Sequence, residues 1–360
     1  MKTRIHLAAV SLALASVLTA TTQAESSSAT RRLLDNQLQW RTTPPLELPV
    51  LQDGSTPISY KDPSPVYYEG RWYIVASQTR YVGDRTRYSM VYFSLDDLTR
   101  PETAKVVPLL QSEEYAAAPA FFYFTPHKKW YLVFGWTDQS KKYHGPAFST
   151  FDDIEHPERL TAPWPMVEKT PDSLPKTKNP RWLDYTIIAD GAKVYMFFTD
   201  DGGNFMYCTT SEEAFPFGWG DPVVVLSEPI SLIFEGSCTY KIKDGPFLTI
   251  VEAIAPGSGD RYYNSLVAEK LEGPWKFLSS ADKPFAGLTN VAGSPVWSKH
   301  ISHGEFLRDS YDEKMILDPA RAPLLYQGWD KQSRVPGVPL GRFNGYHETP
   351  WKLSILHPIE

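Results

Sequence analysis

Runs of β-branched and aromatic residues, broken by short polar pairs, set the pattern of this chain. Pro63-Ser64-Pro65-Val66-Tyr67-Tyr68 and Trp72-Tyr73-Ile74-Val75-Ala76 flank Glu69-Gly70. Such an arrangement predicts two antiparallel strands joined by a tight turn. Asp62 stands just ahead of the first strand. A second copy runs through Ala118-Pro119-Ala120-Phe121-Phe122, turns at Pro126-His127-Lys128-Lys129 and returns as Trp130-Tyr131-Leu132-Val133-Phe134. A third begins at Asp184 and turns at Asp190-Gly191. A fourth begins at Glu235 and turns at Lys243-Asp244-Gly245-Pro246. A fifth, more divergent, begins near His303 and returns around Leu324-Leu325-Tyr326.

The repeat starts, at 62, 118, 184, 235 and 303, lie 56, 66, 51 and 68 residues apart. That spacing suits one propeller blade per repeat with outer loops of varying length. The predicted fold is therefore all-β, a five-bladed β-propeller occupying residues 37–360 as a single domain. A β-sandwich is the competing architecture, but it does not call for hairpins this far apart. The 31 prolines exceed the roughly 5 % of average usage and argue against long helices. Strands around Trp351–Leu356 are expected to close the ring against the first blade.

Ahead of the repeats, Lys2 and Arg4 precede an apolar run from Ile5 to Leu18, and small residues lead to Ala24. Residues 1–24 read as a secretory signal peptide, since the run is shorter than the ~20 residues a membrane span needs. Residues 25–36 read as a flexible lead-in. The expected location is secreted or periplasmic, with no membrane partner. The net charge is −6 with both signs interspersed, which gives no basic stripe for nucleic acid. Cys208 and Cys238, the only two cysteines, read as packed strand residues, although an oxidising compartment would allow them to pair. No Cys/His cluster has zinc spacing. Neither a carbohydrate-binding module nor a dimer surface is visible, so a monomer is expected.

In a propeller the innermost strands open onto one face, so residues at their starts gather around one mouth. Asp62, Asp184 and Glu235 then converge from three blades. One carboxylate before a strand is ordinarily solvated or bonded to a turn; three at matching repeat positions suit glycoside hydrolysis, where a pair flanks the scissile bond. Glu235 follows Leu232-Ile233-Phe234, an apolar surround that favours a protonated acid. Asp62, beside Lys61, is expected to stay ionised as a base. Asp184 is the candidate modulator, raising a neighbour's proton affinity by like-charge repulsion.

The runs Lys61-Asp62-Pro63-Ser64, Trp182-Leu183-Asp184-Tyr185, Phe234-Glu235-Gly236-Ser237, Ser302-His303-Gly304-Glu305 and Leu325-Tyr326-Gln327-Gly328 resemble those of glycoside hydrolase family 62. Its members are α-L-arabinofuranosidases acting on arabinoxylan, a plant cell-wall polysaccharide. The resemblance implies an inverting reaction with Asp62 as base, Glu235 as acid and Asp184 as the residue that tunes the acid. Their Asp62 and Glu235 carboxyl groups should lie roughly 6.5–9.5 Å apart. It further implies substrate contacts from Lys61, Trp136 and Tyr346, and a calcium ion in the axial channel near His303 and Gln327. The chain departs from the family pattern at Tyr185-Thr186, usually Phe-Trp, at Gly236-Ser237-Cys238, usually Ala-Ser-Asn, and at His347, usually Asn. Two other readings stay open: a five-bladed glycosidase of the family 43 type acting on xylosidic or arabinan linkages, and a glycan-binding propeller without catalysis.

Overall fold

The computed structural model describes residues 28–49, 51, 57–82, 85–111, 115–175, 182–293, 296–308, 310–330 and 349–359. The signal-peptide expectation over 1–24 and the expected contact from Tyr346, with its neighbour His347, lie outside the described residues.

Five sheets make up the ring. The first blade is built from Pro57–Tyr68, Arg71–Val82, Arg85–Leu95 and Lys105–Leu109. Ala116–Phe124, Lys129–Asp138, Tyr143–Phe151 and the short Trp164–Pro165 form the second, and Leu183–Asp190, Lys193–Thr199, Asn204–Ser211 and Val223–Ser227 the third. Cys238–Ile242, Phe247–Ile254, Arg261–Ala268 and Lys276–Phe277 form the fourth, with Ile316–Leu317 added in parallel along its inner strand. The fifth is assembled from remote pieces: Ser302–Phe306, Leu324–Gly328 and Lys352–Ile359, then Gln39–Thr42 and Val291–Ala292. Every predicted hairpin is present. Trp72 pairs with Tyr67 and Arg71 with Tyr68 across Glu69-Gly70, whose residues both take positive φ, 49° and 86°, as a tight hairpin turn requires.

The last strand closes the ring against the first blade as expected, Leu353 and Ile355 sharing a core cluster with Ile74 and Phe93 and the Trp351 carbonyl accepting the Tyr60 N–H at 3.0 Å. Within its own sheet Lys352–Ile359 lies between Leu324–Gly328 and Gln39–Thr42, in the fifth blade. The chain's early strand thus completes its last blade, in register from Gln39 against Ile359 to Thr42 against Leu356. Trp40 anchors the joint: it is fully buried and its indole N–H donates to the Phe285 carbonyl at 2.8 Å. Within the expected lead-in, residues 28–34 are helical and bury Leu33 against the same core.

The apolar core is divided into seams. One cluster joins the first two blades through Val75, Tyr92, Phe121 and Trp130. A second joins the next pair through Phe122, Tyr131, Ile187 and Met196. A larger one spans the third, fourth and fifth blades, and a smaller one joins the fifth to the first through Ile74, Phe93, Leu325 and Ile355. Cys208 and Cys238 are both buried and unpaired, as packed strand residues. Among the described residues no helix is long and apolar enough to cross a membrane.

Candidate functional site

Four of the inner strands slip register near their starts, and a matching left-handed residue stands just ahead of the fourth blade's inner strand. Pairing slips between Lys61 and Ser64, between Ala117 and Ala120, between Leu183 and Thr186, and between Ser302 and Gly304. The first bulge residue has left-handed backbone in four blades: Asp62 at φ 49°, Ala118 at 55°, Asp184 at 58° and Gly236 at 63°. An extra residue with positive φ bends the strand and re-aims its side chain. Asp62 and Asp184 occupy this position, and His303 falls within the fifth blade's slip. Glu235 does not. The Glu252 N–H donates to the Glu235 carbonyl at 2.9 Å and the Glu252 carbonyl accepts from the Phe234 N–H at 2.7 Å; with Cys238 opposite Ile250 as Ser64 is opposite Val75, Glu235 sits one residue earlier, in the register of Lys61, and Gly236 takes the bulge position. The expectation of three carboxylates at equivalent positions is therefore corrected for Glu235.

Neighbouring blades hold the bulges. The Asp62 N–H donates to Gln327 Oε1 at 2.6 Å, the Ala118 N–H to Ser77 Oγ at 2.7 Å and the Gly236 N–H to Asp184 Oδ2 at 2.7 Å. His303 lies between two of the expected carboxylates, its Nδ1 3.2 Å from Asp62 Oδ1 and 3.8 Å from Asp184 Oδ1. Lys61 is buried, with its Nζ 3.6 Å from Asp62 Oδ2 and over the Tyr88 ring. Glu235 is reached from a different side: Arg261 Nη1 donates to Glu235 Oε1 at 2.6 Å and to Glu252 Oε1 at 2.7 Å. The apolar surround expected for Glu235 is thereby corrected. Phe234 does pack beside it, but as the platform under the Arg261 guanidinium, 4.5 Å from the ring centre.

Four carboxylates, Asp62, Asp184, Glu235 and Glu252, thus face three cationic groups, Lys61, Arg261 and His303. Burial pushes Asp62 towards its neutral form. The charges of Lys61 and His303, with hydrogen bonds from His303 and Ser77, outweigh it and hold the carboxyl well below its usual range. Asp184 goes the other way. Burial and the charges of Glu235 and Asp62 push it up to about 7, against the pull of His303 and the Gly236 N–H. Burial also raises Glu252, with Arg261 opposing. For His303, burial disfavours the imidazolium, but Asp184 and Asp62 raise it to about 10. One carboxyl held ionised beside another, Asp184, whose proton affinity is raised is the kind of division that acid–base hydrolysis needs.

A sequence model of glycosyl hydrolase family 62 matches residues 40–357. The chain belongs to that family. It is 33 % identical over 327 residues to alpha-L-arabinofuranosidase C of Cellvibrio japonicus, covering 89 % of this chain and 47 % of that protein, so it spans about half the length of this curated relative. The catalytic domain of a family 62 α-L-arabinofuranosidase from Coprinopsis cinerea superposes with a TM-score of 0.79 at 31 % identity, over 90 % of this chain and 98 % of that one. A family 62 hydrolase solved in complex with xylotriose gives 0.76 at 30 % identity, over 88 % and 96 %.

Other residues that the family resemblance marked fall in different places. Trp136 is buried in the second blade, packed on Tyr143 with Lys141 over its ring. Gln327 has both polar atoms engaged, Oε1 by the Asp62 N–H and Nε2 by Ser302 Oγ at 3.1 Å. Among the described residues no group of three or more His, Cys, Asp or Glu converges as a metal set. The hard donors near His303 are two buried carboxylate oxygens without a hydrogen-bond partner, Glu305 Oε2 and Glu252 Oε2, and these fit a hydrated cation. Sequence reasoning missed Arg261 and Glu252, and also Tyr88 and Tyr115, whose rings pack together beside Lys61. Glu252 carried a readable signal: a lone charge inside the apolar strand Phe247–Ile254 has to be paired.

Proposed function

We propose that this family 62 chain is a secreted α-L-arabinofuranosidase that removes arabinofuranosyl side chains from arabinoxylan with inversion at the anomeric carbon. The observation that carries the reading is the opposed setting of Asp62 and Asp184 at matching bulges, with Glu235 across the same mouth. In this scheme Asp62 takes a proton from a water molecule, and the water oxygen forms the new bond to the anomeric carbon. The bond from that carbon to the xylosyl oxygen breaks, and the oxygen takes the Glu235 proton, so one water is added across the linkage. Four carboxylates against three cations leave a surplus negative charge, which favours keeping one proton among them. Ionised Asp184 adds to that surplus. Lys61 is placed to meet a sugar hydroxyl. The named activity of the Cellvibrio japonicus and Coprinopsis cinerea relatives supports the reaction, and the xylotriose complex of another relative supports a xylan main chain as the polymer. A structural calcium ion, when bound, would lie near His303 with Glu305 and Glu252 as its oxygen donors, and no step of the reaction passes through it.

The test is product analysis on wheat-type arabinoxylan with NMR of the anomer first released. Release of β-arabinofuranose alone, without xylose and without shortening of the chain, is expected. Release of xylose, or full turnover by Glu235→Gln, would overturn the reading.

A further inference from the structure

One continuous hydrogen-bonded path joins the Glu235 carboxylate to the backbone of Asp62, the two residues that the proposed reaction uses. It starts at Glu235 Oε1, held by Arg261 Nη1 at 2.6 Å, and the same nitrogen donates to Glu252 Oε1 at 2.7 Å. Glu252 Oε1 accepts a second bond, from Ser302 Oγ at 2.6 Å. Ser302 Oγ accepts from Gln327 Nε2 at 3.1 Å, and Gln327 Oε1 receives the Asp62 N–H at 2.6 Å. Glu252, Ser302 and Gln327 are all buried, and the path crosses from the fourth blade through the fifth to the first. A buried ion pair of this kind adds little to stability compared with apolar residues of like shape. Its directional contacts can nevertheless fix geometry.

We propose that Glu252, Ser302 and Gln327 are positioning residues that set the acid relative to the base. Glu252 orients Glu235 through Arg261, and Gln327 fixes the left-handed turn that presents Asp62. Ser302 locks the two halves together. The inference rests on the reading of Glu235 as acid and Asp62 as base. It also accounts for Gln327 in a role other than the calcium contact expected of it. None of the three needs to touch substrate. A misplacement of about 1 Å by a remote change costs on the order of a hundredfold in rate, so a loosened path should be visible in turnover.

The experiment compares Glu252→Gln, Ser302→Ala, the double variant and Glu235→Gln, each verified as folded by circular dichroism and assayed with calcium present throughout. Substrates are arabinoxylan, whose xylosyl leaving group needs a proton, and an aryl arabinofuranoside with a good leaving group, which needs little help. On arabinoxylan each single variant should lose about 10- to 100-fold in kcat with KM within about threefold. The double variant should be no slower than the slower single, because both cut one path. For Glu252→Gln the loss on the aryl substrate should be at least about tenfold smaller than on arabinoxylan. Multiplying losses in the double variant, equal losses on both substrates for Glu252→Gln, or parental kcat in either single would overturn the proposal. Should Glu252→Gln fail to fold, Ser302→Ala carries the test through its kcat-against-KM split. Glu235→Gln separates the two levels. If it lacks the leaving-group dependence, the acid assignment itself falls; if it has it and Glu252→Gln does not, only the path falls.

Discussion

Replacing Gly236 by alanine tests whether the fourth-blade bulge is a strained element that holds the mouth together. Gly236 has φ 63°, where an L-residue costs roughly 1–2 kcal/mol. Restricting the unfolded chain returns roughly 0.4–1 kcal/mol. A Cβ there would meet Glu252 Oε2 at 3.2 Å and His303 Cγ at 3.3 Å, so both must give by a few tenths of an ångström, at about 1 kcal/mol. The net expectation is a loss of about 1–2 kcal/mol, which lowers the melting midpoint by roughly 2–4 °C. The ring is not expected to fail, because Ala118 already occupies the matching bulge of the second blade at φ 55°. Turnover should suffer more than stability. The new methyl presses on the carboxylate that shares Arg261 with Glu235 and on the imidazole beside Asp62, so kcat on arabinoxylan should fall about tenfold. Thermal melting by fluorimetry and initial rates at one pH decide the matter. A variant that melts and turns over like the parent would refute the claim that the bulge is strained and tightly packed.

Two further outcomes follow from the same geometry. Asp184→Asn keeps an acceptor for the Gly236 N–H but removes a charge that builds up as pH rises through about 7. That charge opposes loss of the shared proton, so its removal should move the alkaline limb of kcat/KM to lower pH, by roughly one to two units for neighbouring charges at an effective dielectric near 20; an unmoved limb would exclude Asp184 as modulator. Chelation with EDTA should lower the melting midpoint and added calcium should restore it, since a ligand bound only by the folded state stabilises that state; a midpoint indifferent to both would dismiss the ion.

Much of the fold could be read from the chain because blades are local objects. A hairpin such as Pro57–Tyr68 with Arg71–Val82 announces itself by its strands and by Glu69-Gly70, and five such units at 50- to 70-residue spacing leave few architectures. Ring closure was not local. The strand Gln39–Thr42 pairs with Lys352–Ile359 across almost the whole sequence, and four residues carry no signal of so distant a partner. The site divides along the same line. Asp62, Asp184 and His303 lie on inner strands at repeat starts, so aligning the repeats exposes them. Glu252 and Arg261 reach the mouth from second and third strands of the fourth blade, where alternation is indistinguishable from ordinary packing. The one-residue offset of Glu235 was hidden for a different reason: a bulge inserts a residue without changing composition, and side-chain direction in a strand reverses with each position.

The bulges also explain why these site residues are spread over so many blades. A left-handed turn at a non-glycine residue persists only if its surroundings over-determine it. Here the fixing comes from outside the blade. Gln327 of the fifth blade receives the Asp62 N–H, Ser77 of the first receives the Ala118 N–H, and Asp184 of the third receives the Gly236 N–H. Asp184 and Gln327 therefore act as structural clasps as well as members of the site, and Ser77 adds a hydrogen bond to Asp62. A side chain that both stabilises a neighbour's strained backbone and sets a neighbour's charge cannot be exchanged for one effect alone. It follows that conservative changes at clasps, such as Asp184→Asn, should separate charge from geometry, whereas truncations there should disturb both together.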